Sequence, residues 1–237
     1  MLEIREERFS EYRETENVVR DAFWNVYSPG CDDHYLVHQI RKSPAFIPEL
    51  SLVALDKGRI IGYVTNLKSF IGGDDGKRYE VLSLGPIAVL PEYQRTGIGA
   101  RLISEVKETA RKLNYRAILL YGNPAFYTKQ GFESAEKYGI RNSENMFAAA
   151  LHVCGLYDGA LQGISGRYYE DSVYNVSEEA VREFDKNFPP KTPISGTPSQ
   201  QYFLEMVNNC RPYDGKEVLQ ESTPKKALKF ERDCRTK

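Results

Sequence analysis

From about Ser10 to Tyr27, Val18, Val19, Ala22, Phe23 and Val26 fall on one face and the charges on the other, a spacing that predicts an amphipathic helix. Ser28-Pro29-Gly30 breaks it. Asp32 or Asp33 can then cap a shorter helix that runs to about Arg41, before Pro44 and Pro48 stop it. The period changes next. Leu50–Leu55 and Ile60–Asn66 flank Asp56-Lys57-Gly58-Arg59, which reads as a hairpin with glycine where the turn needs a positive φ. Gly72–Gly76 is a second turn, and Tyr79–Leu90 is a long strand interrupted by Gly85-Pro86. Proline cannot donate to a ladder and glycine marks a bulge, so the strand is expected to splay there. Leu102, Ile103, Val106, Ala110 and Leu113 restore a helical stripe to about Asn114, and Arg116–Tyr121 reads as a buried strand. Gly122-Asn123-Pro124 opens a short helix over Ala125–Gln130, closed at Gly131-Phe132 by a left-handed cap, and Phe147–Val153 is apolar enough for one more strand.

After Cys154 the chain turns rich in Gly, Tyr and Asp and loses any clean period through Val176, which predicts irregular structure. Ser177-Glu178-Glu179 starts a helix to about Asn187, with its acids in the first turn. Phe188–Ser199 is a Pro-, Ser- and Thr-rich linker, and Gln200–Cys210 is a last helix with Tyr202, Phe203, Met206 and Val207 on one face. Residues 223–237 carry six Lys/Arg against two Asp/Glu, the composition of a solvated tail. The expected organisation is a domain over 1–153 and an extension over 154–237, with a linker near 188–199.

With 237 residues the chain can bury a sizeable core, and its net charge of −1 offers no field for a polyphosphate backbone, so nucleic acid is not an expected partner. Cys31, Cys154, Cys210 and Cys234 form no CxxC pair and are expected as free thiols in a reducing cytosol. The charged N-terminus lacks a secretory core, and charge-free runs such as Asn145–Tyr157 are too short to span a bilayer. A cytoplasmic protein without membrane attachment is expected. His34 and His38 stand four apart on the second helix without a third ligand, so no metal is assigned.

The remaining chemistry lies in the glycine loop. GxxxxGK[ST] is absent, and GxGxxG fails because its third glycine would fall at Leu102. What stands is Gln94-x-x-Gly97-x-Gly99 between a strand and a long helix, where the amides of Arg95, Thr96, Gly97, Ile98, Gly99 and Ala100 can converge on a pyrophosphate with the helix dipole behind them. Downstream comes Tyr127-x-x-x-Gly131-Phe132. Together these resemble the pyrophosphate motif and the following motif of the GNAT superfamily of N-acetyltransferases. Gly122–Tyr127 and Leu84–Val89 are worded most like its YhbS-like predicted members, over a stretch ending near Val153.

The resemblance implies an α+β fold: a mixed, mostly antiparallel sheet with a splayed central strand, flanked by helices, with the C-terminal extension added. It implies acetyl-CoA as cosubstrate, with pantetheine held by the main chain of Ile87, Ala88 and Val89. Asn123 either contacts the cofactor or simply caps the next helix. Tyr127 maps onto the proposed general acid facing the departing thiolate. A phenol near pKa ~10 opposite a thiol near ~8.5 gives up its proton uphill by about 2 kcal/mol, so a hydrogen bond to the thiolate is the expected role. The glutamate that some members place on the splayed strand falls at Ser83, a poor base, leaving Glu80, Glu49 and His34 as base candidates.

The expected reaction is direct acetyl transfer to an amine of a small molecule or peptide in a ternary complex. The alternative is a noncatalytic acyl-CoA-binding or interaction protein, favoured if residues after Cys154 fill the acceptor cleft. A homodimer is the assembly held open.

Overall fold

The computed structural model describes residues 2–215; the basic stretch 223–237 and Cys234 lie outside the described residues. In chain order the elements are β1 (Glu3–Glu6), α1 (Tyr12–Phe23), α2 (Asp33–Ile40), β2 (Leu52–Asp56), β3 (Arg59–Gly73), β4 (Arg78–Val89), α3 (Ile98–Lys112), β5 (Ala117–Tyr121), α4 (Pro124–Tyr127), β6 (Glu133–Ser134), β7 (Ile140–Arg141), β8 (Met146–Ala148), β9 (Leu151–Gly155), β10 (Gly166–Tyr169), α5 (Glu178–Asp185), α6 (Pro198–Asn208) and β11 (Cys210–Pro212). The main sheet runs β1-β2-β3-β4-β5-β9-β6, with β10 added to β3 and β7 added to β10. Its pairs are antiparallel except β4–β5 and β10–β7. Among the described residues no helix is long and apolar enough to cross a membrane.

The central feature is where β4 and β5 part. Their parallel pairing covers only Leu82↔Ile118 and Ser83↔Leu119, while β4 continues to Val89 against β3. On β3 two steps separate Val64 from Asn66, and the facing residues Ile87 and Leu84 are three apart, so Gly85-Pro86 forms a bulge. The expected splay is there.

One face of the sheet receives α3, whose Ile98, Leu102, Ile103, Val106 and Ala110 are all buried. Each large aliphatic of that stripe contributes on the order of 1.5–3 kcal/mol by leaving water. The helices α1 and α2 are tied by a buried ionic cluster: Arg41 Nη2 lies 2.6 Å from Glu7 and Nη1 lies 2.9 Å from Glu16, with all three side chains at most 6% exposed.

One strand is additional and two expectations need correction. Glu3–Glu6 is a strand, unannounced because an edge strand of four residues with three charges has no apolar alternation. Phe147–Val153 is two strands, not one: β8 pairs with β11 in a separate sheet and β9 pairs with β5, the chain changing sheets between them. The aperiodic stretch after Cys154 contains β10, which completes the long outer half of β3. Residues beyond 153 are thus built into the main sheet.

The rest of the extension crosses the molecule. On α5, Asp185 takes a two-pronged contact from buried Arg20 at 2.6 and 3.0 Å, and Phe184 and Phe188 pack on His34. Trp24 and Asn25 both donate to the carbonyl of Thr192. A capping box at Thr197 and Gln200 starts α6, and Gln200 also donates to the carbonyl of Asn25 at 3.2 Å.

Candidate active site

Gly97 stands at the N-cap of α3 with φ +89°, a conformation that a side chain would strain. Arg95 is also left-handed, at φ 64°. Among the described residues the amides from Arg95 to Ala100 donate to no backbone carbonyl, so one loop presents unpaired N–H groups at the positive end of a helix. That is an anion cradle.

The adjoining edge of β4 supplies the rest of this wall. Leu90 N–H donates to Ile61 O across the β3 pair, and antiparallel alternation then turns Ala88 toward β3 and Ile87 and Val89 toward the gap. Ile87 and Val89 line the cleft, whereas Ala88 is buried and does not. The Val89 carbonyl is already taken by Gln94 Nε2 at 3.0 Å, which fixes the loop onto the strand. Thr96 turns inward to the carbonyl of Tyr93 and also lies outside the lining.

Tyr127 is seated by a glycine. A Cβ on Gly122 would come within 2.2 Å of the Tyr127 ring, so only glycine lets the ring lie against the end of β5. The Tyr127 hydroxyl has no hydrogen-bond partner among the described residues, and burial holds its pKa well above the ordinary phenol value. It therefore stays protonated and is a donor. Asn123 caps α4 by accepting from Ala125 N at 2.9 Å while also lining the cleft.

The cleft measures about 880 Å³ and continues past Tyr127 into a second half walled by α1, α2, the β10 exit and α6. Phe23, Val26, Leu36, Tyr202, Phe203 and Met206 line that half, together with the carboxylates Asp33 and Glu170. Desolvation pushes both carboxyls up to about 7, with Asp32 adding to the shift at Asp33. Glu170 keeps solvent-accessible surface in the open cleft, which works against its shift; a ligand filling the cleft would remove that water.

An acetyltransferase (GNAT) domain model matches residues 48–134. The chain is 33% identical over 138 residues to the uncharacterized N-acetyltransferase YhbS of Escherichia coli strain K12, covering 57% of this chain and 80% of that protein. The chain belongs to the GNAT family of acetyltransferases. A crystal structure of E. coli YhbS in complex with CoA aligns with TM-score 0.66 at 26% identity, over 74% of this chain and 92% of that one. The Brucella melitensis GNAT acetyltransferase, solved in complex with acetyl-CoA, shares the fold at TM-score 0.60 and 24% identity, over 74% and 99%.

Family membership makes this chain an acyltransferase, yet none of the three base candidates read from its sequence reaches the cleft. Glu80 is exposed on the outer half of β4, opposite Phe70. Glu49 lines a separate polar groove with Arg5, Arg8 and Glu105. His34 is fully buried, 3.1 Å from Asp185 and clamped by two phenylalanines, and burial lowers its pKa to about 4. Ser83 is sealed off by Tyr168, whose hydroxyl lies 2.5 Å from its Oγ. The carboxylates that do face the cleft, Asp33 and Glu170, were missed. The sequence offers Asp32 or Asp33 as a helix cap, a position that Asp32 takes, and Glu170 lies in a stretch without period and beyond the matched family segment. Their only advance signal was an acid within or beside an apolar, Tyr-rich context.

Proposed function

We propose that the protein is an N-acetyltransferase that moves the acetyl group of acetyl-CoA to an amine by direct attack in a ternary complex. The observation that carries this reading is the unpaired amide run Arg95–Ala100 continuous with the open edge of β4 at Ile87 and Val89. The loop amides suit the pyrophosphate, the strand edge suits the pantetheine amides, and Arg95 and Lys129 at that end of the cleft add positive charge. CoA and acetyl-CoA in the related structures support the same assignment. The Val89 N–H, turned to the gap, is placed to donate as negative charge develops on the thioester oxygen.

An ammonium with pKa near ~10.4 costs about 4.6 kcal/mol to deprotonate at pH 7, so a base is required. Glu170 fills that role. It adjoins Tyr174, whose hydroxyl donates to the carbonyl of Gly85 at 3.0 Å on the splayed strand, and a carboxyl poised near 7 accepts a proton without binding it irreversibly. Glu170 takes one ammonium proton, the C–N bond forms and the C–S bond breaks. The second amine proton leaves as the amide is established. Tyr127 donates a hydrogen bond to the departing thiolate, which takes its own proton from solvent, so one proton is released per turnover.

A cleft filled by residues after Cys154 would favour the noncatalytic alternative. In fact α6 walls the cleft and leaves it open. Free CoA release and acetylated product, followed together by thiol assay and mass spectrometry across a panel of amines, test the proposal. Acetylated amine in step with CoA is the expected result; CoA binding with no product from any amine would leave only the noncatalytic reading.

A further inference from the structure

The two ends of the cleft differ in charge. Its cationic lining residues, Arg95 and Lys129, belong to the glycine loop and to the turn after α4, both at the phosphate end. The other end offers Asp33 and Glu170 within a wall of aromatic and aliphatic side chains. That wall is held by specific contacts: Phe203 of α6 packs on Tyr27 with ring centroids 4.8 Å apart, and Gln200 anchors the helix to the carbonyls of Asn25 and Ile194.

Resting on the acetyltransferase reading above, we propose that the acceptor is a primary amine on an apolar, preferably aromatic, body, its ammonium received by Glu170 and its body by α6 and α1. Three arguments converge. An ammonium is attracted both by carboxylates and by aromatic faces, and the acceptor half provides both. Acidic acceptors such as free amino acids bring a carboxylate that meets the like charge of Glu170 with no cation at that end among the described lining residues. Polyamines and aminosugars carry more charges and hydroxyls than the few polar groups of this half, Asp33, Glu170, Ser199 and Tyr202, can meet, and the remainder lose hydration against Phe23, Val26, Leu36, Phe203 and Met206. The extension after residue 153 is, on this view, the specificity wall of the enzyme: α6 is carried into place by the Arg20–Asp185 contact and the Asn25 anchors.

The test compares kcat/KM for phenethylamine and tryptamine with that for spermidine, glucosamine and lysine, and adds calorimetry of phenethylamine binding to the CoA-loaded full chain. The expected result is a preference of about 10- to 100-fold for the arylalkylamines, the scale of one or two buried methylene-sized contacts plus a desolvation penalty. In Phe203→Ala, KM for phenethylamine should rise about 5- to 50-fold with CoA affinity unchanged; Met206→Ala serves as a second variant should the first fold poorly. A preference for spermidine, glucosamine or lysine, or CoA binding without measurable phenethylamine binding, overturns this inference and leaves the acetyltransferase reading standing. Absence of CoA binding overturns both.

Discussion

The two halves of the cleft are made differently. The donor half is local: residues 85–100 and 122–130 supply it, mainly through backbone, from β4, the loop before α3, and α4. The acceptor half is assembled from α1, α2, the residues after β10, and α6, all through side chains, from positions as far apart as Phe23 and Met206. A main-chain cradle is written in short motifs because only particular residues permit its geometry, as Gly97 at φ +89° and Gly122 against Tyr127 illustrate. A side-chain wall tolerates many solutions and leaves no spacing rule.

This division predicts that variants in the two halves fail in separate ways. The largest effect is expected from Glu170→Gln, which keeps the size and removes the base: turnover should fall about 10²- to 10⁴-fold at neutral pH with CoA affinity retained, as measured by steady-state kinetics beside calorimetry. A loss of less than threefold would move the base elsewhere, with Asp33 the remaining carboxylate in the wall. Next comes Tyr127→Phe. Without its hydroxyl the departing thiolate loses a donor, and turnover should drop about 10- to 10³-fold; unchanged turnover with a good acceptor would remove Tyr127 from the chemistry.

A pH profile sharpens the same comparison. Because burial raises Glu170 to about 7, kcat/KM should rise roughly tenfold per unit below that value and bend toward a plateau above it, provided the acceptor remains an ammonium throughout. The tyrosines that meet Glu170 electrostatically, Tyr121, Tyr168 and Tyr174, stay neutral across this range; Asp33 is the other cleft carboxyl raised to about 7, and the Glu170 variant decides between the two. The bend should vanish in Glu170→Gln. Persistence of the bend in that variant would assign it to another group.

The same contrast explains what could be read in advance. The hairpin at Lys57-Gly58, the bulge at Gly85-Pro86, the α3 stripe up to Ala110 and the left-handed cap at Gly131 all follow from local rules, and each is present; Leu113, expected on the stripe, falls at the helix C-cap and is exposed. Tyr127, Ile87, Val89 and the loop from Gln94 to Ala100 gather on one cleft with the exception of Thr96. Of the expected trio Ile87, Ala88 and Val89, the middle residue turns its main chain to β3 and not to the cleft. Proximity to the motif glutamine along the strand points to Glu80, whereas β4 carries it to the outer half of the sheet, away from the cleft. Glu170 gave no sign because β10 is short, pairs with a strand nearly a hundred residues earlier, and ends just before it. Tertiary convergence of this kind has no period.

The measurement that bears most directly on the division is calorimetric titration of CoA into the wild-type chain, Gly97→Val and Glu170→Gln. A β-branched residue forced to φ +89° strains the loop by roughly 1–3 kcal/mol or makes it abandon the cradle, so Gly97→Val should weaken CoA about 10- to 100-fold. Glu170→Gln should bind CoA as wild type does. Equal CoA affinity in Gly97→Val and wild type, or an equal loss in both variants, would contradict a donor half built on the backbone of the glycine loop and separable from the acceptor wall.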